Sequence, residues 1–113
     1  MIMTQEQKDL LLKDLCARLP YRVKGNYQNS DDELLRKVTI MYSYLQPNGM
    51  VMTGDIKPYL FPLSSMTEKQ KIELTCIIDS DYAKFDWYNK NHFDYRGLIP
   101  MGLAIDATNL NIY

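Results

Sequence analysis

Two short stretches with the same helix-start pattern, MTQEQK at 3–8 and MTEKQK at 66–71, enclose a middle segment rich in β-forming residues. In both stretches a threonine precedes a glutamine by three residues, which is the spacing of a capping box. The residues around them do not repeat at any period, so we interpret them as two similar helix starts. Because a β-rich segment lies between two helical ones, the 113-residue chain is expected to form a single α+β domain over 1–113.

A first helix is predicted over about residues 5–18, because apolar residues recur there at three- and four-residue spacing. Pro20 cannot continue the helical hydrogen bonding, and it pushes the preceding residue out of helical geometry. The expected apolar face consists of Leu11, Leu12, Leu15, Cys16 and Leu19. The expected solvent face carries Lys8, Asp9, Lys13 and Asp14.

A β-hairpin is predicted over 36–55, within a β region that extends from about 21 to 61. QPNG at 46–49 is typical of a tight turn, with Asn48 and Gly49 suited to positive φ, and MVMTGDI then returns as the partner strand. Such a short turn imposes antiparallel pairing, so the sheet is expected to be a small antiparallel meander or a partly open barrel. Alternation in the first strand gives an expected core face of Val38, Ile40, Tyr42 and Tyr44.

Two further segments belong to the predicted β region. KPYLFPL at 57–63 contains Pro58 and Pro62, so it is expected at a sheet edge or as a 3₁₀ turn, and not as a central strand. A polar loop is expected at 28–33. Before that loop, an early strand is expected around Tyr21, Val23 and Tyr27.

The C-terminal half is predicted to be helical over about 67–101, followed by a short final strand and tail within 102–113 that ends in an exposed Tyr113. The helix after Thr67 has apolar positions at Ile72, Leu74, Ile77 and Ile78. A third helix is predicted in DSDYAKFDWYNKNHF at 79–93, with N-cap chemistry from Asp79, Ser80 and Asp81. Its candidates for burial are Tyr82, Phe85, Trp87, Tyr88 and His92.

Charge and cysteine content restrict the function classes. A net charge of −1 and a pI near 5.7 argue against a general phosphate-backbone binder, which has an excess of Lys and Arg. Cys16 and Cys76 lack the paired spacing of a zinc or redox site, so we expect two buried free thiols. No apolar run has the length of a signal peptide core or a membrane span, so a cytoplasmic protein with no membrane association is expected.

The segment HFDYRGLIPMGLA at 92–104 holds the best catalytic candidates, His92, Asp94 and Arg96. In an extended chain these side chains project to one face, where Asp94 would orient the imidazole as a general base and Arg96 would hold an anion. The structural interpretation is simpler and is favoured: Asp94 caps a following turn, Arg96 bridges to a carboxylate, and Gly102 ends the turn.

No metal site or cofactor site is predicted. One histidine and two separated cysteines do not make a zinc site, and DSDYAKFD lacks the glycine and terminal glutamate of a calcium loop. The five glycines are dispersed and are interpreted as turn residues, so no phosphate-binding loop is expected.

Three separated segments resemble a group of small uncharacterised proteins of gut anaerobes and their prophages and mobile elements: LLLKDLCARLPY at 10–21, IKPYLFPLSSMTEKQK at 56–71 and WYNKNHFDYRGLIPMGLAIDA at 87–107. The resemblance implies no catalytic residue. It implies a fixed frame that carries a variable β region at 22–55. This chain departs from the usual PYGVK by having Arg22 where a glycine would ease a turn.

Three functions are compatible with these observations. The leading hypothesis is a non-enzymatic interaction module that binds a protein partner through the 36–55 hairpin and through Arg96. Its expected contact residues are Tyr42, Tyr44, Met50, Met52 and Arg96. The alternative is single-stranded nucleic-acid binding, with Tyr42 and Tyr44 stacking bases on a sheet and Arg36, Lys37 and Lys57 supplying charge. The third is an enzyme that uses His92, Asp94 and Arg96.

Overall fold

The computed structural model of the chain describes residues 3–28, 32, 35–77 and 80–113, and its element order confirms the α+β class. The helices are α1 (Gln5–Arg18), α2 (Glu68–Thr75) and α3 (Asp81–Lys90). The strands are β1 (Lys24–Tyr27), β2 (Val38–Thr39), β3 (Ile56–Pro62), β4 (Phe93–Asp94) and β5 (Ile105–Asp106). Short 3₁₀ turns occupy Leu19–Tyr21, Tyr42–Leu45 and Leu63–Ser65. None of the helices in the described part of the chain is long and apolar enough to cross a membrane.

Both predicted capping boxes form. The Thr4 hydroxyl accepts from the Gln7 amide at 3.1 Å, and the Gln7 side chain accepts from the Thr4 amide at 3.0 Å. Thr67 and Gln70 make the same reciprocal pair at 3.1 and 2.8 Å. Helix α1 therefore begins at the predicted residue, and it ends at Arg18 as predicted. Leu19 keeps right-handed helical dihedrals (φ −53°, ψ −42°) in the 3₁₀ turn that follows, so the expected departure from helical geometry before Pro20 is wrong.

The buried face of α1 is not the predicted apolar face. Its buried residues follow the i, i+3, i+4, i+7 pattern of one helix stripe: Leu11, Asp14, Leu15 and Arg18. The expectation that Asp14 faces solvent is therefore wrong, because Asp14 and Arg18 are both fully buried as an ion pair. Since this stripe turns Cys16 outward, the expected burial of Cys16 is also wrong, and Cys76 is exposed as well.

Strand β3 is the central strand, so its predicted edge position is wrong. It pairs antiparallel with β1, for example Gly25↔Pro58, and parallel with both β4 and β5. The sheet is thus a mixed, open sheet of order β2-β1-β3-β4 with β5 also on β3, and it is neither entirely antiparallel nor a barrel. The prolines are tolerated because Pro58 precedes the first β5 pair, Tyr59↔Ile105, and Pro62 is the last residue of the strand.

Residues 36–55 do not form the predicted hairpin. Only Val38–Thr39 is a strand, and it pairs with β1, while Tyr42–Leu45 is a 3₁₀ turn. The return segment 50–55 consists of turns and a bend, and the Val51 amide donates to the Tyr44 carbonyl at 3.1 Å. Gly49 is required by close approach and not by positive φ, because a Cβ there would lie 2.3 Å from the Tyr44 oxygen.

The core explains why alternation fails in this segment. Residues from 40–52 enter one hydrophobic cluster with α1, β3 and the 98–104 turn. The fully or nearly fully buried members from 40–52 are Ile40, Leu45, Val51 and Met52. Their spacing does not follow the period of two that a hairpin strand requires, so tertiary packing overrides the local β preference.

Burial in the C-terminal half also departs from the predictions. Helix α2 has no buried residue, and Ile72 is 64% exposed. On α3, Tyr82 and Phe85 are exposed, while Asn89 is buried. Ser80 is the N-cap of α3, accepting from the Ala83 amide at 3.2 Å, whereas Ile78 and Asp79 lie outside the described residues, as does most of the loop predicted at 28–33.

The final strand β5 is confirmed, and the chain then returns to the sheet. Tyr113 remains partly exposed, as expected, but its hydroxyl accepts from the Lys24 amide at 2.8 Å and donates to the Tyr59 carbonyl at 2.7 Å. Burial of this hydroxyl raises the pKa of Tyr113. The protonated phenol therefore links β1 to β3.

The backbone conformation of Arg22 gives a stability prediction. It has φ 56° and ψ 49°, the left-handed conformation in which a Cβ is unfavourable. Arg22→Gly is expected to increase the free energy of unfolding by about 0.5–1 kcal/mol, because relief of that strain exceeds the added entropy of the unfolded chain. Urea unfolding measures the difference. Arg22→Ala is the control: it removes the side chain but keeps the Cβ, and an equal gain in Arg22→Ala would contradict the backbone explanation.

Candidate functional site

The three sequence-predicted catalytic residues have separate structural roles. Asp94 accepts hydrogen bonds from the Leu98 and Ile99 amides, both at 2.9 Å, so the predicted turn cap is confirmed. Arg96 Nε donates to Asp14 Oδ1 at 3.1 Å, which confirms the predicted bridge to a carboxylate. The side chains of His92, Asp94 and Arg96 make no hydrogen bond to one another, so they do not form the relay that a general base requires.

His92 is held as a neutral ring. Its imidazole stacks on the Tyr113 ring with centroids 3.6 Å apart, and the buried Nδ1 atom has no hydrogen-bond partner among the described residues. Desolvation, followed by the charges of Arg18 and Lys24, lowers the pKa of His92 to about 4. The ring is therefore uncharged at neutral pH and packs as an aromatic side chain.

The predicted contact residues of 36–55 divide between core and surface. Tyr44 packs against the main core and Met52 is buried in it. Tyr42 is 64% exposed and Met50 is 40% exposed. Because Tyr42 and Tyr44 lie in a 3₁₀ turn and not on a sheet, the premise of base stacking on sheet tyrosines is wrong.

A buried charged cluster joins α1 to the turn after β4. Arg18 donates to the Asp14 carboxylate through Nε at 2.7 Å and through Nη2 at 3.1 Å, and Nη2 also donates to the Phe93 carbonyl at 2.6 Å. Arg96 adds the third donor to the same carboxylate. One carboxylate thus serves two guanidinium groups, which leaves the cluster with one net positive charge.

Aromatic rings cover this cluster. The Arg18 and Arg96 guanidinium carbons lie 5.2 and 4.9 Å from the centroid of the Tyr95 ring. Tyr95 in turn stacks on Phe85 and on Tyr88, with centroids 5.2 and 5.4 Å apart. The rings shield the two guanidinium groups from water, and the face of Tyr95 makes a cation–π contact with each of them.

A cavity of about 390 Å³ opens beside this stack, between α1 and α3. We call it the α1–α3 groove. The α1 side consists of Cys16, Ala17, Pro20 and Tyr21. The α3 side consists of Tyr82, Phe85, Asp86 and Asn89, and the remaining lining residues are Tyr95 and Arg96. On α3 these residues fall at i, i+3, i+4 and i+7, so one stripe of the helix faces the groove.

Polar contacts inside the groove connect its two sides. Arg96 Nη2 donates to the Tyr95 hydroxyl at 3.3 Å, and that hydroxyl donates to Asn89 Oδ1 at 2.9 Å. The Tyr21 hydroxyl donates to Asp86 Oδ1, and this hydrogen bond raises the pKa of Tyr21. The groove therefore has hydrogen-bonding groups at fixed positions between aromatic faces, which is the general composition of a ligand pocket.

Among the groove residues, the sequence analysis named only Arg96 as a binding residue. It assigned Cys16 to the apolar face of the first helix, Tyr21 to an early strand, and Tyr82 and Phe85 to burial. The stripe of Tyr82, Phe85, Asp86 and Asn89 has the spacing of a buried face, and it was predicted as one for its aromatic members. A carboxylate and an amide within an aromatic stripe are the features that could have indicated a cleft instead.

Comparison of the chain with protein-family models, with curated proteins and with solved structures found no match in any of the three. Within the described part of the chain, no group of three or more His, Cys, Asp or Glu side chains is placed to hold a metal ion.

The buried cluster gives a stability prediction. Asp14→Asn removes the only carboxylate that pairs with Arg18 and Arg96 among the described residues, so the free energy of unfolding is expected to fall by about 3–5 kcal/mol. Asp9→Asn is the matched control on the exposed side of the same helix, where a change within about 0.5 kcal/mol is expected. Urea unfolding of both variants measures this, and equal effects would contradict the role assigned to Asp14.

His92 gives a pH prediction. Between its unfolded pKa of 6.5 and its native pKa of about 4, the unfolded chain binds a proton that the native protein does not. Stability is therefore lost as the pH falls through this window, by about 1 kcal/mol from about pH 7 to about pH 5 after allowance for the partly exposed ring. Urea unfolding at both pH values should show that loss in the wild type but not in His92→Asn, which tolerates the left-handed backbone. An equal loss in both proteins would contradict the assignment.

Proposed function

We propose that this protein is a small non-enzymatic binding module that engages a protein partner through the α1–α3 groove. The observation that carries this proposal is the exposure of two aromatic side chains at the cavity: Tyr82 is 81% exposed and Phe85 is 47% exposed. Large aromatic side chains beside a cavity with fixed polar groups are typical of contact surfaces, where tyrosine is enriched.

The packing around the groove supports this proposal. Tyr95 is fixed by stacking on Phe85 and Tyr88 and by its hydrogen bond to Asn89. Arg96 is fixed by the buried Asp14. A partner that enters such a preorganised site loses less free energy to side-chain ordering than it would at a mobile surface.

The chemistry of the groove favours binding over catalysis. Cys16 is the one thiol that lines it, and among the described residues no base is hydrogen-bonded to that thiol. The Tyr21 hydroxyl has a raised pKa, which disfavours the phenolate that a nucleophile or base would need. Neither the Cys16 thiol nor the Tyr21 hydroxyl is therefore activated for attack on a substrate.

The resemblance to mobile-element proteins extends the proposal to the location of the protein and to the residues that set its specificity. The α1 side of the groove and its inner residues Asn89, Tyr95 and Arg96 fall within the resembling segments 10–21 and 87–107. Tyr82, Phe85 and Asp86 fall outside them. We place the protein in the cytoplasm of a bacterial host that carries such an element, with a shared inner groove and a rim that sets its specificity.

Site-specific photo-crosslinking tests the proposed surface. A photoreactive phenylalanine analogue in place of Tyr82 is expected to give a discrete protein adduct in host cells, because that side chain contacts the partner. Adduct yield should fall about tenfold when Phe85→Ser removes the neighbouring aromatic contact.

The control places the same photoreactive residue at Ile72, which is equally suited to modification because it is exposed on α2 and lies outside the groove. We expect no adduct of the same mass from position 72. The same adducts from both positions, or an adduct that Phe85→Ser leaves unchanged, would rule out the groove as the contact surface.

A further inference from the structure

The charge distribution in the groove indicates what kind of group it binds, an inference that rests on the groove being the binding site. We propose that its outer half, formed by Tyr21, Tyr82, Phe85 and Asp86, receives a cationic side chain of the partner, the shared chemistry of lysine and arginine. Aromatic faces around one carboxylate are the arrangement that attracts such a cation.

The positions along α3 separate the outer half from the inner half. With a rise of about 1.5 Å per residue, Tyr82 lies about 10 Å along the helix axis from Asn89, and Asp86 lies between them. Asn89 is buried and belongs to the Arg96–Tyr95–Asn89 hydrogen-bond chain. The exposed side chain of Tyr82 marks the end of the groove that a partner reaches first.

The carboxylate of Asp86 is not neutralised within the described protein. Its Oδ1 atom accepts from the Tyr21 hydroxyl, a neutral donor, and no cation of the described residues lies within ion-pair distance. Lys90, one turn further along α3, makes no ion pair with it. A negative charge with an uncharged donor on one side therefore remains available to a partner's cation.

The positive charge of the inner half confines this occupant to the outer half. The Asp14–Arg18–Arg96 cluster keeps one net positive charge, whereas the outer half holds the Asp86 carboxylate, and Arg96 Nε and Nη2 donate to Asp14 and to the Tyr95 hydroxyl. Two guanidinium groups already lie over Tyr95, the ring on which Phe85 stacks. The cavity of about 390 Å³ is large enough for a side chain of this length.

Titration with small probes tests the inference. Nα-acetyl-arginine amide and Nα-acetyl-lysine amide are added to ¹⁵N-labelled protein at constant ionic strength, and the amide shifts of Tyr82, Phe85, Asp86 and Asn89 are followed. The neutral comparison is Nα-acetyl-citrulline amide, which has the shape of arginine without its charge. Arginine or lysine is expected to bind at least about fivefold more tightly than citrulline, because a charged partner strengthens the contact with Asp86.

Matched variants connect that preference to the carboxylate. Asp86→Asn keeps an acceptor for the Tyr21 hydroxyl but removes the charge, and it should abolish the preference for the cationic probes. Asp81→Asn, an exposed acid on the same helix and outside the groove lining, should retain it. Tyr82→Ala, whose side chain makes no hydrogen bond in the described structure, should weaken arginine binding severalfold without disturbing the fold.

Three outcomes would overturn the inference: equal binding of citrulline and arginine, a preference that survives Asp86→Asn, or no shift with any probe up to its solubility. If the crosslink at Tyr82 forms while the cationic preference is absent, the groove is still a partner site but for a different chemistry. If neither is observed, the proposed function fails with it.

Discussion

The buried carboxylate of Asp14 ties together parts of the chain that are distant in sequence. It accepts from Arg18 one turn along α1 and from Arg96 in the turn after β4. Arg18 reaches on to the Phe93 carbonyl in β4, so the same cluster sets the position of α1 against the sheet. Removing Asp14 and Arg18 from water is unfavourable unless the two charges are paired, so the cluster favours one arrangement of these elements over others.

That arrangement explains the central place of β3. Its partners come from distant parts of the chain: β1 precedes β3 in the sequence, and β4 and β5 follow it. The amide of Phe61 donates to the His92 carbonyl and the Leu60 carbonyl accepts from the Ala107 amide, so successive residues of β3 serve opposite edges. A proline-containing strand is central here because its missing donors fall at the ends of its ladders.

Most features that were predicted correctly depend on interactions between neighbouring residues, whereas the features that were missed depend on contacts between distant parts of the chain. The capping boxes, the bounds of α1 and the Asp94 cap depend on residues within a few positions of each other, and they were predicted correctly. The final strand was predicted from its short apolar run, although its pairing with β3 is long-range. The burial of Asp14 depends on Arg96, 82 residues away, and the centrality of β3 depends on strands formed at the chain's end. Alternation in 38–44 was a weaker determinant than the packing of Leu45, Val51 and Met52 into the core.

The groove could not be predicted from the sequence because it too depends on contacts between distant parts of the chain. A helix stripe of Tyr82, Phe85, Asp86 and Asn89 has one pattern whether it packs against a neighbour or borders a cleft, and only the position of α1 decides between them. The buried cluster fixes that position through Arg96, which is at once a ligand of Asp14 and a lining residue of the groove. Arg96 therefore contributes both to the ion pair that stabilises the fold and to the geometry of the groove. A substitution at Arg96 would change both, so the function of the groove is better studied at its exposed rim.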